Sequence, residues 1–138
     1  MATVRPSNPQ TPPPTWWRSR LRSFGYAAAG VADLVRTQPH ARFHLLATVA
    51  VAGAALGFGV SPLEAAVLAL AIGLVWCAEA MNTAVELLVD LVHPDWARPA
   101  GRVKDMAAGA VLLAAAAAAF TGAFVLLPRI YQLLGGPT

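Results

Sequence analysis

The chain has 138 residues and a formal net charge of +3; 57% of the residues are hydrophobic and only 12% are charged. A soluble domain carries about a quarter charged residues, so this composition, gathered in long apolar blocks, excludes an ordinary soluble fold and points to one domain in a membrane. The single cysteine, Cys77, excludes an intrachain disulfide and any Cys/His metal cluster, and its apolar surroundings suit a small packed hydrophobe. Arg5, Arg18, Arg20, Arg22, Arg36 and Arg42 precede the first apolar block, and Arg98, Arg102 and Lys104 separate the second from the third. This asymmetry follows the positive-inside rule, with a cytoplasmic N-terminus, and argues against nucleic acid as the partner of the basic residues.

In chain order, residues 1–15 hold Pro6, Pro9, Pro12, Pro13 and Pro14 and are expected to form a disordered cytoplasmic tail. Residues 16–138 then make up the membrane domain. Within 16–40, Trp16, Trp17, Leu21, Phe24 and Tyr26 sit among Arg18, Arg20 and Arg22. This pattern predicts an amphipathic helix on the inner membrane surface, broken near Pro39. Residues 43–60 are uncharged apart from His44 and predict a first span, closed by a turn at Gly57, Gly59, Ser61 and Pro62. A second span is expected over 63–92 and a third over 103–128, which leaves the C-terminus outside. The alanine run 114–119 predicts close helix approach. The fold class is all-α and integral to the membrane, with three transmembrane helices preceded by a surface helix.

The second span changes character midway, where it acquires Glu79, Asn82, Glu86 and Asp90. At about 100° per residue these four fall within an arc of roughly 80° on one helix face. Counting from Leu63 at about 1.5 Å per residue, Glu79 lies roughly 24 Å along the helix, near the inner edge of the hydrocarbon. A carboxylate there costs several kcal/mol unless paired, hydrated or protonated. One polar contact would serve for helix packing; three carboxylates and an amide on one face are more than packing requires.

Carboxylates beside an amide suit a hard cation such as Mg²⁺, and a carboxylate at the bilayer edge suits a general base that takes a proton from an alcohol. Lys104 and Asp105 open the third span at the same depth, where a lysine can neutralise nucleotide phosphates and an aspartate can orient it or a metal. Neither a G-x-x-x-x-G-K-[ST] loop nor the H-R-D and D-F-G patterns of protein kinases occur. Composition and spacing alone leave a membrane enzyme, a cation-coupled carrier and a non-catalytic membrane scaffold open.

The stretch Glu79-Ala80-Met81-Asn82-Thr83-Ala84-Val85-Glu86-Leu87-Leu88-Val89-Asp90 resembles the E-x-x-N-[ST]-A-[IV]-E-x-x-x-D signature of the prokaryotic diacylglycerol kinase family, which includes the undecaprenol kinases. Gly101-Arg102-Val103-Lys104-Asp105-Met106-Ala107-Ala108-Gly109-Ala110-Val111 resembles its second signature, and Ser23-Phe24-Gly25-Tyr26 with Gly30 resembles its surface-helix start. The resemblance covers about residues 20–127. It implies a homotrimer in the bacterial inner (plasma) membrane, with composite sites that transfer the ATP γ-phosphoryl group to a lipid hydroxyl. By that resemblance Glu79 is the general base, Glu86 holds Mg²⁺ and Asn82 supports the site, while Lys104 and Asp105 engage the nucleotide. Many members carry a glutamate before the first span as a second metal ligand; here Gln38 stands in its place, able to coordinate only through its neutral carbonyl. Arg42 and His44 match the family pattern nearby. Arg42 is expected to contact phosphate, and His44 leans toward undecaprenol rather than diacylglycerol as substrate.

Overall fold

The computed structural model describes residues 16–95 and 97–135 as four helices: α1 (Trp16–Thr37), α2 (Pro39–Phe58), α3 (Pro62–Val92) and α4 (Arg98–Leu133). The tail expected over residues 1–15 lies outside the described residues. Among the described residues, α2, α3 and α4 are long and apolar enough to cross a membrane, so the all-α, three-span architecture stands. The chain divides into two compact units, residues 1–32 and 33–138. In the described part of the first, Trp17, Leu21, Phe24 and Val31 fall within an arc of about 80° on α1, and all four side chains are exposed. The second unit contains the three spans and every candidate site residue.

Proline sets where the helices begin. Pro39 and Pro62 are the first residues of α2 and α3, and Pro99 lies in the first turn of α4, positions where the missing N–H would be unpaired anyway. For this reason α2 starts four residues before the apolar stretch and α4 five residues before the expected span. At its far end α4 continues through Pro128 to Leu133 instead of stopping there. Pro128 cannot donate to the Phe124 carbonyl, but membrane helices tolerate this where neighbouring groups compensate. Just beyond it Arg129 Nη1 donates to the Val125 carbonyl at 2.7 Å.

The α2–α3 connection is closed at both ends. Gly59 adopts φ 60°, ψ 48°, and the N–H groups of Gly59 and Val60 return to the Leu56 and Ala55 carbonyls at 3.3 and 3.2 Å, a Schellman closure that needs the left-handed conformation glycine adopts without strain. Ser61 then caps α3 reciprocally: Glu64 N–H donates to Ser61 Oγ at 3.3 Å, and Ser61 N–H donates to Glu64 Oε2 at 2.7 Å.

The closest pairing is α3 with α4; α2 touches both less extensively. Two ion pairs at opposite ends make the α3–α4 pair antiparallel. Arg129, late on α4, reaches Glu64, early on α3, at 2.6 Å, while Lys104, early on α4, reaches Asp90, late on α3, at 2.5 Å. Between these staples the helices meet through small and β-branched residues, with Val75, Ala114 and Val125 buried. Glu64→Ala and Arg129→Ala are each expected to lower the thermal midpoint in detergent, because each breaks the pair and one further bond, to the Ser61 amide or to the Val125 carbonyl. An unchanged midpoint in both variants would show that this end of the α3–α4 pair holds without the staple.

Candidate active site

The polar face of α3 divides into two parts along the helix. Glu79 is buried, with 3% of its surface exposed, and its carboxylate has no hydrogen-bond or ion-pair partner among the described residues. One turn further toward the C-terminal end of α3, Asn82 Nδ2 donates to Glu86 Oε1 at 3.0 Å. The i,i+4 spacing on a helix places the two side chains in reach of one another. The other end of that amide, Asn82 Oδ1, is buried without a hydrogen-bond partner among the described residues. A buried carbonyl oxygen left unpaired costs free energy unless something else fills it.

Beyond Glu86, Asp90 accepts from Lys104 Nζ. Lys104 and Asp105 line a hollow of about 310 Å³ at the α3–α4 turn, together with Asp90, His93 and Asp95. Asn82 with Glu86 and Asp90 with Lys104 are therefore brought together as pairs, and Asp105 shares the hollow with the second pair.

Gln38 and Arg42 are placed differently. Gln38 is the extended residue between α1 and α2, with φ −102° and ψ 117°, and its side chain makes no capping bond. Arg42 donates through Nε to the Val35 carbonyl at 3.1 Å and through Nη2 to the Arg36 carbonyl at 2.5 Å. Neither residue hydrogen-bonds to the α3 carboxylates among the described residues. No group of three or more His, Cys, Asp or Glu side chains is gathered closely enough to hold a metal ion, again among the described residues.

An apolar recess of about 300 Å³ lies between α2, α3 and α4. Its α3 wall includes Leu68, Ile72 and Val75, which share an arc of about 60° with Glu79. Its α4 wall is low because Ala115, Ala118, Ala119 and Gly122 carry little or no side chain. On the α2 side the Trp76 indole N–H donates to Thr48 Oγ1 at 3.0 Å, and the Thr48 hydroxyl donates to the His44 carbonyl at 2.7 Å. This link between α2 and α3 escapes a reading of the sequence, in which Thr48 and Trp76 look like ordinary members of apolar spans.

An uncharged recess shares an α3 face with a buried carboxylate one turn beyond it, and charged groups follow toward the helix ends, an arrangement that suits an enzyme whose substrate lies in the bilayer. Comparison with known proteins gives the same class and refines it. The family described as prokaryotic diacylglycerol kinase matches residues 25–126; the chain belongs to that family, and so to the lipid kinases. It is 45% identical over 115 residues to the diacylglycerol kinase of Synechocystis sp., a match spanning 83% of this chain and 66% of that protein. It is also 33% identical over 110 residues to the undecaprenol kinase of Bacillus subtilis, spanning 80% of this chain and 89% of that one.

Proposed function

We propose that the protein transfers the γ-phosphoryl group of ATP to the hydroxyl of a membrane lipid, diacylglycerol or undecaprenol, at the cytoplasmic face of the plasma membrane. The observation that carries this reading is the buried carboxylate of Glu79, without a partner among the described residues, one helical turn beyond Val75 on the α3 face that lines the apolar recess. An ionisable group placed at that cost inside a membrane span is a functional group first. The recess takes the hydrocarbon of the lipid, and its hydroxyl comes to Glu79. Glu79 accepts the hydroxyl proton as the lipid oxygen bonds to the γ-phosphorus, the bond from that phosphorus to the bridging oxygen breaks, and ADP departs. Lys104 leaves Asp90 to neutralise phosphate charge, and Asp105 orients the nucleotide. Positioning and charge neutralisation of this kind supply most of the catalysis in phosphoryl transfer.

The oxygens of Asn82 and Glu86 have the chemistry that a Mg²⁺ ion would take. Asn82 Oδ1 is a buried oxygen without a partner among the described residues, and the other end of the same amide meets the Glu86 carboxylate; amide and carboxylate oxygens are the hard donors this cation takes. When bound, the ion offsets negative charge on the phosphates. Glu86 and Asn82 would hold it, with the Gln38 carbonyl as a further neutral donor. Gln38→Glu is expected to lower the Mg²⁺ concentration that supports half-maximal rate, read from a metal titration at fixed ATP. An unchanged or higher requirement would place residue 38 away from the ion.

A homotrimer with shared sites accords with the exposed apolar residues along α3 and α4, such as Leu70, Leu74, Leu112 and Phe120. The arginine-flanked apolar face of α1 suits the inner membrane surface. Diacylglycerol and undecaprenol, offered separately in mixed micelles with ATP and Mg²⁺, test the substrate through initial rates of lipid phosphate formation. A rate at least tenfold higher with one names the acceptor. No lipid phosphate from either, with ATP and Mg²⁺ saturating, would contradict the proposed reaction.

A further inference from the structure

We propose that Arg42 is a positioning residue whose guanidinium supplies the hydrogen bonds that the break at Gln38 and Pro39 withholds from the end of α1, fixing the elbow from which α2 starts. The backbone accounting at this elbow is explicit. Leu34 O receives the Gln38 N–H at 2.9 Å, the last helical bond of α1. In register, the next carbonyl, Val35, would receive an N–H from residue 39, but proline has none. The carbonyl after it, Arg36, would be served by residue 40. The chain has already turned at Gln38, however, and His40 belongs to the first turn of α2.

Two successive carbonyls are thus orphaned at a helix C-terminus, where the backbone dipoles also leave partial negative charge. Arg42 reaches back to both, Nε to Val35 and Nη2 to Arg36, and its own N–H donates to the Gln38 carbonyl at 3.4 Å. A planar fork of donors matches two adjacent acceptors; a lysine ammonium at the same position would serve as a point charge and lose that match. Leu34 and Ala41, buried to 6% and 0% exposure, lie on either side of the break, while Arg42 and its two bonds to α1 lie on the exposed side of the elbow. Gln38 sits at its apex with its side chain left out of the capping.

In this arrangement Arg42 acts on turnover through the backbone rather than by touching nucleotide. Its pairing with Pro39 yields a specific test, because Pro39→Ala restores an N–H and also frees Gln38 from the extended conformation that a following proline favours, so that α1 can lengthen and serve Val35. Full-length wild type, Arg42→Ala, Pro39→Ala and the double variant are compared in detergent by amide hydrogen exchange over residues 33–44 and by steady-state kinetics with ATP varied. Arg42→Ala is expected to speed exchange in this segment by about tenfold, the scale of losing hydrogen bonds to a charged group. Its kcat should fall while its KM for ATP stays within about twofold of wild type, since no phosphate contact is lost. In the Pro39→Ala background the Arg42→Ala change should shrink to about twofold in both readouts, a coupling that two independent sites would not show. Arg42→Lys should fall between wild type and Arg42→Ala in exchange, and it replaces Arg42→Ala as the probe if that variant does not fold. Exchange unaltered by Arg42 substitution, or a loss equally large in both backgrounds, overturns the proposal. The kinetic arm rests on the kinase reading and the exchange arm does not, so failure of the proposed reaction would leave the elbow tested on its own.

Discussion

Glu79→Gln is expected to lower lipid phosphorylation by about a thousandfold, within the range that a positioned general base contributes, while leaving the helices folded. Glutamine keeps the size and shape of the side chain and removes only its capacity to take the proton. Because the carboxylate is buried and has no partner among the described residues, no ion pair is broken by the change. A neutral amide is also less costly than a carboxylate in that setting, so the thermal midpoint should hold or rise. Turnover and thermal midpoint measured on the same preparation separate the possibilities. Retained activity would remove Glu79 from the chemistry, and a lower midpoint with lost activity would make it a packing residue.

Lys104→Ala carries the second large effect. Lys104 is partly covered and pairs with an Asp90 side chain that is 63% exposed. A pair so open to solvent contributes about 1 kcal/mol or less to stability, so the midpoint should move little. A cation that neutralises charge developing on transferring phosphate is worth far more: about 100-fold in kcat/KM for ATP is expected to be lost. Lys104→Arg should recover part of the rate, since it keeps the charge but changes its shape. A Lys104→Ala enzyme with near-normal kcat/KM for ATP would reduce the residue to a staple between α3 and α4.

Much of the architecture was legible because membrane spans announce themselves by length and by absence of charge. The three apolar stretches appear as α2, α3 and α4, and the proline near residue 39 marks the break between α1 and α2. Helix ends were read less accurately where polarity and helicity part company: α4 starts at Arg98 among polar residues and runs past Pro128, because neither charge nor one missing N–H ends a helix whose neighbours compensate. The face carrying Glu79, Asn82, Glu86 and Asp90 followed directly from helical periodicity. Partners across helices did not. That Asp90 meets Lys104, Glu64 meets Arg129 and Trp76 meets Thr48 depends on how the helices align, which a one-dimensional pattern does not encode. The reciprocal cap at Ser61 and Glu64 had a readable S-x-x-E signal. The clamp at Arg42 had one too, an arginine three residues after a proline that ends a helix, but its meaning emerges only when each backbone carbonyl is followed to its donor.

The most direct measurement of the central claim is the fate of the γ-phosphate. The purified protein is reconstituted with γ-labelled ATP, Mg²⁺ and a lipid alcohol, the lipid is extracted, and the label in the organic phase is counted against the ADP formed. A lipid kinase should place label in the lipid in a one-to-one ratio with ADP. ATP left intact while the same preparation carries cations or protons across a sealed vesicle would contradict that claim and turn the carboxylate face of α3 into an ion path.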